Sequence, residues 1–191
     1  MASTAAPYGM RPVQLIGGQP YAGSTRQISI ASGYATNIFF GDAVKLVAAG
    51  TVEKDTGTNA MTPVGIFMGC SYTDPGLNYK VFKQYWPAST AASDAMAYVC
   101  DDPDTVFQIQ ADDTIAQAGL GANYALVQTA GTTTVGNSKN ALDASTAATT
   151  NTLPLRVIGF VDGPDSAVGD TYTDVLVKWN VGHQYENAEG V

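Results

Sequence analysis

The chain has 191 residues, a formal charge of −8, 45% hydrophobic residues and only 14% charged ones. That is long enough for one sizeable domain and too apolar for a disordered chain. Its nine Lys and Arg are scattered, which excludes the basic stripe a nucleic acid needs, and its net charge disfavours an anionic membrane surface. Acidity resides in fourteen Asp and only three Glu. Asp competes for nearby backbone N–H groups and favours turns over helices, so the composition leans all-β. No segment approaches the roughly 18 unbroken apolar residues of a membrane-spanning helix. Met1 to Pro7 carry neither the basic nor the apolar region of a secretory leader, so none is expected.

Residues 1–25 predict an extended N-terminal arm, because Pro7, Pro12 and Pro20 with Gly9, Gly17, Gly18 and Gly23 exclude a helix. The arm also carries Tyr8, Met10, Val13, Leu15, Ile16 and Tyr21, side chains that suit docking on its own domain, a neighbouring subunit or a larger partner. A β-rich domain follows over 26–182. Strands are expected at 27–30, 38–40, 43–47, 51–54, 64–68, 80–86, 95–99 and 106–110, then at 124–128, 155–161 and 175–180. Residues 90–96 and 112–118 are the two stretches with room for a helical turn. The Thr, Ala, Ser and Gly run from Thr129 to Leu153 predicts an exposed excursion or a long hairpin outside the core. Residues 183–191 close the chain as a short tail. The architecture expected is a compact β-barrel or sandwich.

The pattern repeats. Gly41-Asp42-Ala43-Val44-Lys45-Leu46-Val47 is answered by Gly121-Ala122-Asn123-Tyr124-Ala125-Leu126-Val127. Val64 to Gly69 is answered by Ile158 to Gly163, and at that offset Val81, Lys83 and Tyr85 match Val175, Val177 and Trp179. Two similar β-units, about 26–90 and 106–182, are therefore expected. Each is small enough to favour one shared core.

Reactive chemistry is hard to assemble from these residues. His183 is the single histidine and stands without a nucleophile motif, so a surface or strand-end role is expected. Cys70 and Cys100 read as buried free thiols, with a disulfide as the alternative. Asp101, Asp102, Asp104, Asp112 and Asp113 are the densest acids, but their spacing suits turns that bond backbone amides better than a calcium loop. No nucleotide fingerprint or cofactor motif is present. Tyr79, Tyr85, Trp86 and Asp94 superficially imitate a sugar-cleaving cleft, while aromatics at this spacing more often fill a core or an interface.

Gly41-Asp42-Ala43-Val44-Lys45-Leu46, Gly50-Thr51-Val52 and Thr62-Pro63-Val64-Gly65-Ile66-Phe67 together resemble the small β-rich capsid decoration and cement proteins of tailed bacteriophages. The whole chain is also similar to virion structural proteins of marine, cyanobacterium-infecting phages. The resemblance implies a non-enzymatic protein, made in the host cytoplasm, that sits on the outer capsid surface. Its implied partners are the major capsid protein and further copies of itself, as a trimer or dimer, with no cofactor, nucleic acid or membrane. The arm, through Tyr8, Met10, Arg11, Leu15 and Tyr21, is the candidate capsid or subunit contact. The alternatives are another neck, tail or fibre-associated virion part, a carbohydrate-binding adhesin module and, last, an enzyme.

Overall fold

A computed structural model describes residues 4–186 and Gly190. The described chain is nearly all β, with twelve strands: β1 (Arg11–Leu15), β2 (Arg26–Ser29), β3 (Ala43–Leu46), β4 (Val52–Lys54), β5 (Gly65–Thr73), β6 (Lys80–Lys83), β7 (Met96–Cys100), β8 (Thr105–Gln110), β9 (Asn123–Val127), β10 (Ala141–Ala148), β11 (Leu155–Phe160) and β12 (Asp174–Trp179). They form two packed six-stranded sheets whose ladders are antiparallel. One has the order β1-β8-β12-β11-β9-β10, and the other β2-β7-β5-β3-β4 with β6 added on β5.

The duplication is visible strand for strand. The order β2-β7-β5-β3-β4 is reproduced by β8-β12-β11-β9-β10. Each set curls on itself until its outer strands meet at one parallel bridge, Ile30 with Val52 and Ala111 with Leu142. The ladders agree in register as well: Leu46 faces Val52 as Leu126 faces Leu142. Phe67 faces Val99 as Val157 faces Val177, and both ladders then break register, between Phe67 and Cys70 and between Val157 and Gly159.

This geometry corrects the sequence match in two places. Gly69, not Gly65, corresponds to Gly159, because each stands two residues beyond the last matched pair before the register shift. The counterpart of β12 is β7 and not the Lys80–Trp86 segment, so the first unit extends to Cys100 and the β5–β6 hairpin lies within it as an insertion.

Two apolar clusters replace the single shared core expected from the size of the units. Ile30, Val44, Val52, Phe67, Tyr72, Trp86 and Val99 fill the first unit. The second cluster draws Phe107, Leu126, Leu142, Val157, Val177 and Trp179 from the second unit, and Ala43, Ile66 and Cys100 from the first. Neighbours in sequence thus bury to opposite sides: Val44, Phe67 and Val99 inward, and Ala43, Ile66 and Cys100 against the other unit. A strand covered on both faces has no solvent side to mark by alternation, which accounts for the unbroken run Val64 to Phe67.

Residues 4–25 lie along the chain's own domain, one of the docking places the sequence leaves open, with β1 on β8 and Met10 in the second cluster. The Thr129–Leu153 segment does form a hairpin arm, β10 on β9, but Leu142 is fully buried and Asn140 and Ser138 are buried with it. Ala-rich β10 lacks the bulky side chains that announce a strand, yet small residues are what close contact with β8 and β9 admits. Finally, 90–96 is not helical, 112–118 yields only the 3₁₀ turn Gln117–Gly119, and Ile38 and Phe40 make isolated bridges and no strand.

Candidate functional site

The Gly41-Asp42 pair builds the most elaborate polar site. Gly41 adopts φ +90° and a Cβ there would come within 3.1 Å of the Met10 backbone, so the arm's passage requires glycine. Asp42 is fully buried. Its carboxylate accepts hydrogen bonds from the Phe39 amide (2.9 Å), the Ser138 hydroxyl (2.6 Å) and the Asn140 side-chain amide (3.2 Å), with Lys54 Nζ at 2.9 Å. Gly9 N–H donates to the Asn140 carbonyl, and Met10 N–H to the Gly41 carbonyl. First unit and β9–β10 loop therefore converge on one carboxylate whose donors saturate it, and the arm bonds the backbone on either side of it. Chemically this is a pin between units. Only the Gly-Asp turn was visible in the sequence, because Ser138 and Asn140 lie in a segment that resembles solvent-exposed loop.

The other acids show the same habit. Asp55 accepts from Gly57 and Thr62 amides, Asp94 from the Thr73 amide and hydroxyl, and Asp112 from the Ala144 amide. The Thr73 bonds hold the exposed Asp94 carboxyl below its usual range. Asp102 accepts from the Asp104 amide, and Asp101 pairs with Arg26. Among the described residues no three His, Cys, Asp or Glu side chains converge on a metal-sized site.

His183 is buried, a departure from the surface role expected of it. Its ring sits 6.3 Å from Trp179 and 5.6 Å from Tyr185, centroid to centroid, and burial lowers its pKa against the opposing pull of Glu186 and Asp101. Next to it Gln184 behaves as a one-residue strand: its side chain accepts from Leu46 N–H at 2.7 Å and donates to the Leu46 carbonyl at 3.1 Å. Residues 183–186 thus strap the end of β12 to the first unit. Gln184 was not singled out in the sequence, and nothing there marks it.

Both cysteines are free and buried. Cys70 donates to the Tyr85 carbonyl at 3.4 Å, and burial pushes its thiol up to about 12; burial also raises Cys100. Trp86 is buried edge-on to Tyr72 and Tyr85 stacks on Phe39, while Tyr79 is exposed, so the aromatics near Asp94 divide between core and surface and form no platform.

The arm residues differ in what they offer. Met10 is wholly buried in the chain's own core and reaches no surface. Tyr8 donates its hydroxyl to Asp174 at 3.1 Å and carries the Arg11 guanidinium 4.3 Å above its ring; burial, then Asp174, raises the Tyr8 pKa. Tyr21 donates to the Ser24 carbonyl. Leu15 is half-buried, and Arg11 is exposed. No protein family, curated protein or solved structure matches this chain. Outside the arm, the exposed apolar side chains Leu77, Tyr79 and Phe82 gather on the β5–β6 hairpin. A shallow groove of about 490 Å³ follows that hairpin past Phe40, Met68, Phe82 and Tyr98.

Proposed function

We propose that this chain is a non-enzymatic virion structural protein that binds the outside of a tailed-phage capsid as a decoration or cement protein. The observation that carries the reading is the use made of its most recognisable motif. Gly41-Asp42, the start of the segment that resembles decoration proteins, is spent on holding the units together through a saturated, buried carboxylate and the arm through the Gly41 carbonyl. The buried Asp55 carboxylate is used in the same way, on the Gly57 and Thr62 amides. A doubled β scaffold pinned in this manner is suited to transmitting load between neighbours, the task of a cement protein. A contact of roughly 800 Å² per partner is ordinary for a specific complex, and repetition over a shell multiplies a modest affinity. Of the arm contacts, Arg11 with Tyr8 beneath it presents the accessible surface, and Leu15 and Tyr21 are half-buried.

The test is uptake by phage heads purified without the protein. Electron microscopy should show added density on the outer shell, and loaded heads should resist heat and osmotic shock better than bare ones. Heads that take up no protein would refute the reading. Arg11→Glu should lower occupancy without unfolding the domain; unchanged occupancy would remove the arm from the contact.

A further inference from the structure

The β5–β6 hairpin is the part of the first unit that the duplication does not explain. In the second unit, β11 passes to β12 through residues 161–173 with no strand between them. β6 stands off the path that closes the first unit, bonded to β5 alone. Folding needs no exposed aromatics there, yet Leu77, Tyr79 and Phe82 are 55%, 57% and 72% exposed.

The ladder fixes which way the β6 backbone points. Asp74 N–H donates to the Tyr79 carbonyl at 3.1 Å, and antiparallel ladders alternate from such a pair. Val81 and Lys83 therefore turn their N–H and C=O groups toward Tyr72 and Cys70, their partners in register. Lys80 and Phe82 turn theirs outward, and among the described residues nothing bonds them on that side.

We propose that this edge is a dimer interface, on which β6 of a second copy adds as an antiparallel strand with Val81 on the two-fold axis. In that register the outward groups of Lys80 meet those of Phe82 in the other copy, twice over, so both outward-facing residues of each strand are satisfied. Centring the axis on Lys80 would oppose two ammonium groups and leave Phe82 outside the strand pairing. Centring it on Phe82 would send Lys80 toward Gln84, whose side chain is already bonded to Asn137. With Val81 on the axis each cation faces an aromatic ring, Lys80 against Phe82 and Lys83 against Tyr79.

Charge favours a second copy as the occupant. Two chains of −8 repel over most of their surfaces. On and beside this hairpin Lys80 and Lys83 balance Asp74 and, from the segment before β7, Asp94, whose carboxylate lies 4.0 Å from Lys80 Nζ. The antiparallel course also carries Leu77 at the hairpin tip toward the other copy's Gln84–Tyr85 end. There Val135 is 60% exposed, next to Gly136, which packs against both residues. The inference stands whether or not a capsid is the protein's target.

Light scattering and sedimentation equilibrium on the full chain test it. The wild type should approach twice 19.9 kDa at high concentration and dissociate on dilution. Phe82→Lys opposes ammonium groups across the axis and should weaken the dimer about tenfold or more. Adding Lys80→Glu to Phe82→Lys places opposite charges across the same axis and should restore it. Both sites are exposed, so circular dichroism should stay unchanged, and at dilutions where every variant is monomeric the melting temperatures should agree. A wild type that is monomeric throughout, a trimer, a dimer indifferent to Phe82→Lys, or a failed rescue would each overturn the proposal.

Discussion

Replacing Asp42 by alanine removes one carboxylate and strands four donors at once. Phe39 N–H, the Ser138 hydroxyl and the Asn140 amide lose their acceptor, and the Lys54 ammonium, only 10% exposed, loses its counter-ion. The unpaired charge dominates: breaking a buried ion pair from one side costs about 3–5 kcal/mol, against about 1 kcal/mol for a typical neutral hydrogen bond. For a chain of this length, about 1 kcal/mol moves the melting temperature by about 2–4 °C, so a fall of about 6–20 °C is expected. Thermal unfolding followed by circular dichroism measures it. Adding Lys54→Met removes the stranded charge and should return a large part of the loss, giving a positive coupling in the double-mutant cycle. A fall below about 3 °C for Asp42→Ala, or no recovery in the double variant, would refute the view that this carboxylate pins the units together.

Gly65→Ala would place a Cβ 2.1 Å from the Cys100 carbonyl oxygen, so the β5–β7 ladder must shift; a loss of about 1–3 kcal/mol is expected in urea unfolding. Wild-type stability in that variant would contradict the packing described. His183 has a pKa lowered by burial from its usual 6.5, so the unfolded chain binds the proton more readily. Its contribution to stability is full above pH 6.5 and is lost as pH falls through the lower, folded value. His183→Phe should flatten that part of the stability–pH curve, and an unchanged slope there would argue against it. Cys70 and Cys100 should react with a thiol reagent only as fast as the chain opens, because burial keeps both protonated and covered. Rapid labelling of the folded protein would show that one of the strand ladders opens easily.

Most strands were legible because they carry the usual signal, β-branched and aromatic residues bounded by Gly, Pro and Asp. Two were not. β1 lies in a stretch whose prolines and glycines suggest an extended arm and no strand, and it pairs because it is an edge strand, where Pro12 sits at a register break in the ladder. β10 reads Ala-Leu-Asp-Ala-Ser-Thr-Ala-Ala, and its place is set by Leu142 reaching the second cluster and by the parallel bridge to Ala111. Of the polar pin, Gly41-Asp42 could be found as a turn. Its partners Ser138 and Asn140 could not, since a hydrogen bond between residues about a hundred positions apart leaves no local pattern.

The sequence by itself determined the all-β class, the repeated order of strand signals and the net negative charge, since these follow from composition, period and charge, which are local or additive. Tertiary structure alone decided the register of the duplication, because a bulge glycine takes its meaning from the strand opposite. It also decided that Met10 and His183 are buried, and that Phe82, as apolar as either, is left in solvent on an unpaired edge. Burial is a property of what packs against a residue, and those neighbours are brought together only when the chain closes.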